Sequence, residues 1–173
     1  VTLDQALTAG IWRPLPATAA ELLADLDAPA RLGAHLRLVH DVAWSLTDEL
    51  GRRWPALDFD TTAVLFGAAT HDVGKVEHPA ELSGPGHRHE FAGERLLLRY
   101  GVPSHLARFA GSHGSWAEPD RGLEDLLVSL ADTVWKGRRE KSLEDLVRVP
   151  DLDGILAGLA AGADERLAFE NRF

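Results

Sequence analysis

The sequence has no cysteine. Disulfides, thiolate nucleophiles and cysteine-ligated zinc or iron–sulfur centres are therefore excluded. Any metal must be held by histidine, aspartate or glutamate, which favours harder or borderline ions. Methionine is absent too, and aromatic residues make up only 7% of the chain, although five of them are tryptophan. Long hydrophobic runs are missing: no apolar stretch approaches the roughly 20 residues that a membrane span needs. No charged segment followed by an apolar run marks a signal peptide. The expectation is a cytoplasmic protein without a membrane partner. Basic residues are in the minority, 18 Lys and Arg against 27 Asp and Glu, for a net charge of -9. A negative surface repels duplex nucleic acid, although bound divalent cations would invert the field locally. Alternating Val, Ile and Thr runs that would read as strands are lacking. So are fixed-period repeats, low-complexity tracts and linkers, and the expectation is a single domain over residues 1–173.

What is present is a helical pattern, with 45% apolar residues available for a core. A short helix is expected over Thr18–Leu26. A long one follows over about Ala30–Arg53, with Leu32, Leu36, Val39, Ala43, Leu46 and Leu50 as its apolar stripe. Asp60 or Thr61 can cap a third helix that runs to His71 and Asp72. Ser83-Gly84-Pro85-Gly86 reads as a loop. Further helices are expected from about His89 to Tyr100, closed by Gly101, and from Pro103 or Ser104 to between Gly111 and Gly114. Others follow over Leu123–Arg138, after a capping pattern at Ser142, and over Asp153 to about Glu170. The fold class expected is all-α: one compact multi-helix bundle with a buried metal site, its motif-bearing core spanning about residues 30–140.

Ionisable residues stand where this pattern asks for apolar ones. The helix Thr61–Thr70 is almost wholly apolar and delivers His71 and Asp72 at its end. A buried carboxylate beside an imidazole is costly unless a cation compensates it. His113 continues the stripe Leu106, Phe109, Ala110. His89 shares a stripe with Ala92, Gly93, Leu96 and Tyr100. Asp132 interrupts the apolar run Leu126–Ala131. His40 stands beside Leu36, Ala43 and Trp44. Ionisable groups on the inward faces of successive helices share a simple explanation if they converge on metal ions. Two ambiguities remain within this pattern. His35 lies near Leu32, Val39 and Val42, so periodicity does not separate it from His40. His87 is two residues from His89 but falls off the apolar stripe. His78 and His105 are expected at the surface.

In order, His40 in Leu38-Val39-His40-Asp41-Val42-Ala43, then His71-Asp72-Val73-Gly74-Lys75, then Asp132 in Leu130-Ala131-Asp132-Thr133 form an H…HD…D series. His89-Glu90-Phe91-Ala92-Gly93 and Ser112-His113-Gly114 add two histidines. The series resembles the HD superfamily of metal-dependent phosphohydrolases, over roughly residues 35–139. The family spacing favours His40 over His35. The resemblance implies that His40, His71, Asp72 and Asp132 hold one divalent ion, with Asp72 bridging to a second held by His89 and His113. Fe, Mn, Co, Ni or Zn suits such ligands, and Mg is also compatible. It further implies hydrolysis of a small phosphate ester, a nucleotide among the candidates, by a metal-bound hydroxide.

The residues expected to act on the substrate are Asp72, as the bridging ligand, and Lys75, which shares the face of His71 if the helix continues. Lys136 and Arg139 lie one and two turns beyond Asp132 and are expected to grip the phosphate. Trp44, Trp116 and Trp135 are candidates to wall the pocket or stack a base, with core packing the expected role of Trp44 and Trp135. The alternative implied by the same ligand set is a di-iron oxygenase of the same superfamily. A non-catalytic regulatory domain ranks third, because it predicts lost ligands. The oligomeric state is not legible in the sequence.

Overall fold

The computed structural model describes residues Val1–Phe173. It contains ten α-helices, two short 3₁₀ turns and no strand. No helix is long and apolar enough to cross a membrane.

Five helices match the expected pattern closely: α2 (Ala17–Asp25), α3 (Ala30–Arg53), α4 (Thr61–Thr70), α5 (Arg88–Arg99) and α6 (Ser104–Ser112); α7 (Leu123–Val134) begins where expected. Local chemistry sets several of their ends. Pro29 precedes α3, and its fixed φ suits entry into a helix. The Asp60 carboxylate accepts from the N–H of Ala63 and caps α4. Gly101, at φ 80°, turns the chain between α5 and α6.

Four departures have physical causes. A first helix, α1 (Leu3–Thr8), is opened by a reciprocal Thr2–Gln5 capping box and lies against α3. Helix α7 stops at Val134, and Gly137 at φ 78° reverses the chain. Helix α8 (Lys141–Leu146) begins one residue before Ser142, and its cap is the Glu140 carboxylate, which accepts from the N–H of Ser142. The last segment divides at Gly162 into α9 (Leu152–Ala161) and α10 (Ala163–Glu170).

Helix α3 is the axis of the bundle and touches α1, α4, α7, α9 and α10. Every residue from Leu32 to His40 is therefore buried, polar ones included. Arg37 uses this position to hold the N-terminal segment: its guanidinium donates to the carbonyls of Ala6, Ala9, Trp12 and Arg13. Two apolar clusters result. The larger gathers α3, α4, α7 and the C-terminal helices, and the smaller gathers α2, the start of α3, α5 and α6.

After α4 the chain tightens into 3₁₀ turns at Val73–Val76 and Pro79–Leu82. The first turn packs against α5 at a glycine–glycine contact. A Cβ on Gly74 would lie 2.0 Å from the carbonyl oxygen of His89 and 2.5 Å from the nitrogen of Gly93. Only glycine permits that approach, and the approach brings the start of α5 beside Asp72.

Candidate metal centre

The elements around α3 deliver six ionisable side chains to one place. His35 comes from α3, His71 and Asp72 from the end of α4, His89 from the first turn of α5, His113 from the end of α6, and Asp132 from α7. They form two groups that share Asp72. In one, Asp72 Oδ2 lies 3.1 Å from His35 Nε2 and 3.6 Å from His71 Nε2, while Asp132 Oδ1 lies 3.6 and 3.4 Å from the same two nitrogens. In the other, Asp72 Oδ1 lies 3.0 Å from His89 Nε2 and 3.5 Å from His113 Nε2. Asp72 thus turns one oxygen to each group.

His40 is not among them, which corrects the ligand set expected from the sequence; His35 occupies its place. The two residues are five positions apart on α3, so their side chains leave the helix about 140° apart. His35 points at the end of α4 and packs edge-on to Trp135. His40 feels the charge of Arg13 instead, and burial together with that positive charge lowers its pKa to about 4. Periodicity does not separate the two positions because α3 is enclosed on all sides there and both are buried alike. The other choice between neighbours, His89 over His87, agrees with the geometry. His89 is buried in the cluster, whereas His87 is exposed and bound to Glu90.

The rings are held in one orientation. His71 Nδ1 lies 3.0 Å from the carbonyl of Ala68, and His113 Nδ1 lies 3.0 Å from that of Ala110. A carbonyl only accepts, so each Nδ1 carries the hydrogen and each Nε2 presents a lone pair to the centre. His89 Nδ1 meets Glu81 Oε2 at 2.6 Å, and His35 Nδ1 faces Glu170 Oε1 at 3.5 Å. Glu81 and Glu170 were not legible as site residues. Neither interrupts an apolar stripe; Glu170 acts on a partner far off in sequence, and Glu81 on one across the loop from Ser83 to His87.

The electrostatics follow from this packing. Burial opposes ionisation of Asp72, but the surrounding imidazoles outweigh it and hold the carboxyl well below its usual range. Asp132 is shifted the same way, against its own burial, by His71 and His35. Burial also disfavours the charged form of His35. Its contacts with Asp72 and Glu170 and the charge of Asp132 prevail and raise it to about 9. His71 is lowered by burial. His89 and its backbone bring Glu81 down to about 2.

The donor set fits a divalent metal. Nε2 of His35, His71 and His89 and Oδ1 of Asp72 are buried and have no hydrogen-bond partner. Such orphaned atoms are costly, and convergent lone pairs backed by Nδ1 hydrogen bonds are the arrangement of metal-bound histidine. All donors are nitrogen or oxygen, as the lack of cysteine requires.

A cavity of about 530 Å³ opens over the cluster. Its wall is mostly polar, with Trp116 and Pro85 as its apolar side chains, and it carries Lys75, Lys136 and Arg138. Lys75 does not continue α4. It lies in the 3₁₀ turn, where Nζ donates to Asp72 Oδ2 at 2.5 Å. Arg139, expected at the substrate, faces elsewhere: it binds Glu144 through two hydrogen bonds of 2.8 and 2.7 Å and Asp153 through a third. The turn at Gly137 ends the helical register on which that expectation rested and brings Arg138 to the cavity. Trp135 packs in the core, and Trp44 stacks under Arg13 away from the cluster.

Comparison with known proteins gives one match. The sequence profile described as HD domain matches residues 32–135, more than half of the chain. Neither a curated protein nor a solved structure matches. The matched segment begins before His35 and ends beyond Asp132, so it contains all six clustered side chains; the chain belongs to the HD domain family.

Proposed function

We propose that the chain is a metal-dependent phosphohydrolase acting on a small phosphate ester. The observation that carries this reading is the pairing of the six-residue His/Asp cluster with cationic side chains in one polar cavity. The HD family consists largely of metal-dependent hydrolases, which supports the same class. Bound divalent ions supply Lewis acidity, polarising a phosphoryl oxygen and acidifying a water. His35, His71, Asp72 and Asp132 would hold one ion, and Asp72, His89 and His113 a second.

The remaining steps belong to the protein's own groups. Lys136 and Arg138 make no ion pair, lie within reach of the cavity and attract an anionic substrate into an otherwise acidic molecule. Lys75 holds Asp72 in place and offers its remaining hydrogens to a phosphoryl oxygen. Asp132 is partly exposed and firmly ionised. Its lowered basicity suits it to orient an incoming water as an acceptor rather than to act as a strong base. The cavity volume suits a small molecule, and the net charge of -9 disfavours duplex nucleic acid.

The second reading is a di-iron oxygenase. It is favoured by the histidine-rich set, four imidazoles to two carboxylates. One assay separates the two. Protein of known metal content is screened against a panel of phosphate esters under air and under nitrogen, with Asp72→Ala in parallel. The hydrolase reading expects phosphate release in both atmospheres and a loss of about 10²-fold or more in the variant. Iron-specific oxygen consumption without phosphate release replaces it with the oxygenase. An Asp72→Ala variant as active as wild type removes the shared carboxylate from either scheme.

A further inference from the structure

The four inward-facing imidazoles are not supported alike. His71 and His113 lean on carbonyls one turn back in their own helices. His89 cannot, because it stands in the first turn of α5 and has no helical turn behind it. Its support arrives from outside, from Glu81 in the turn Pro79–Leu82. Oε2 of Glu81 meets His89 Nδ1 at 2.6 Å and also accepts the backbone N–H of His89 at 3.1 Å. Oε1 accepts the N–H of Arg88 at 3.3 Å. The first N–H groups of a helix lack partners within it, so one carboxylate caps α5 and orients the ring together.

The same carboxylate shapes the cavity. The chain from Ser83 to His87 folds round it so closely that a Cβ on Gly86 would fall 2.4 Å from the Glu81 carboxylate. Gly84, Pro85, Gly86 and His87 form one wall of the cavity over the cluster. The Glu81 side chain itself is 92% removed from solvent, being only 8% exposed.

We infer that Glu81 is the positioning residue for the His89 half of the centre. It fixes His89 with hydrogen on Nδ1 and the lone pair of Nε2 toward Asp72, and it anchors the loop that walls the substrate cavity. The assignment serves a hydrolase and an oxygenase equally. It rests on the reading that a second ion sits between Asp72, His89 and His113.

The test is Co²⁺ titration of the metal-stripped protein, followed by visible absorption and calorimetry, for wild type, Glu81→Ala and Glu81→Gln. Wild type is expected to take two equivalents. Glu81→Ala keeps one at wild-type affinity and weakens the other by about 10–100-fold. Glu81→Gln recovers most of that loss, because its amide oxygen still accepts the Nδ1 hydrogen. Ring ¹⁵N shifts of the metal-free protein give a second readout: a single Nδ1–H tautomer for His89 in wild type, and a mixture in Glu81→Ala. Two wild-type affinities in Glu81→Ala would overturn the role of Glu81. So would equal weakening of both equivalents without rescue by Gln, the sign of general damage to the fold. A wild type that takes one equivalent would instead overturn the two-ion reading.

Discussion

His35 and His40 share a helix, a residue type and near-complete burial, yet they face different chemistry. His35 looks at three carboxylates, and His40 has a buried Nδ1 without a partner and a cation nearby. His35→Ala should therefore lose tightly bound metal, seen as a drop in equivalents retained after gel filtration. His40→Leu should retain the wild-type content; the reverse result would return His40 to the ligand set. The two residues also differ in their response to acid. His40 titrates near 4 in the folded chain against an ordinary 6.5, so the folded state binds fewer protons. Its stability contribution is complete above 6.5 and is lost as pH falls toward 4, by on the order of 3 kcal/mol in all. Urea unfolding of metal-loaded wild type and His40→Leu at pH 7.5 and 5 measures this. The variant should gain on wild type at the lower pH, and an unchanged difference would contradict the assigned burial cost.

At the scale of elements, the site depends on how closely the turn after α4 meets α5. Gly74 is the contact point, and the atoms facing it belong to backbone, which cannot rotate away. Gly74→Ala should cost at least the 1–3 kcal/mol usual for overpacking and displace His89 from Asp72. Gly154→Ala, in α9 with no atom near its added Cβ, should be neutral or mildly stabilising. Thermal melts and metal content of the two variants check the contrast; a Gly74→Ala protein with wild-type values for both would show that the contact is not needed. Sequence periodicity located the middle helices well, because each has one apolar face and a recognisable cap or stop. It missed α1, which has only six residues and one buried side chain. It also carried α7 through Gly137 and so misplaced Arg139. His71, Asp72, His89, His113 and Asp132 were legible because each breaks an apolar stripe. His35 was not separable, since α3 has no solvent face along that stretch. Glu81 and Glu170 left no local signal at all.

Across the whole molecule, the cluster ties together segments from α3 to α7, and Glu170 in α10 extends the tie beyond the matched family segment. Metal bound only by this assembled site must stabilise the folded chain, by about 2.7 kcal/mol when free metal is 100 times its dissociation constant. A chelator should accordingly lower the melting temperature, by roughly 5–10 °C for a domain of this size. The size of that drop should depend on pH in a definite sense. Without metal, His35 carries its proton up to about 9 and balances Asp72, Asp132 and Glu170. A group raised above its unfolded value stabilises fully below 6.5, and the benefit fades as pH rises through 9. Burial works against charge on His113 as well, but Asp72 prevails and raises it in the same direction. The stripped protein should thus weaken from pH 6.5 to 9. The loaded protein should not, because a ligating imidazole has already released its proton, and metal competes better as protons become scarce. The gap between loaded and stripped melting temperatures should widen across that window, while His40 and His71, which titrate below it, contribute nothing to the change. Paired melts at pH 6.5, 7.5 and 8.5 with and without chelator decide the matter: a constant or narrowing gap would mean that His35 does not exchange a proton for metal.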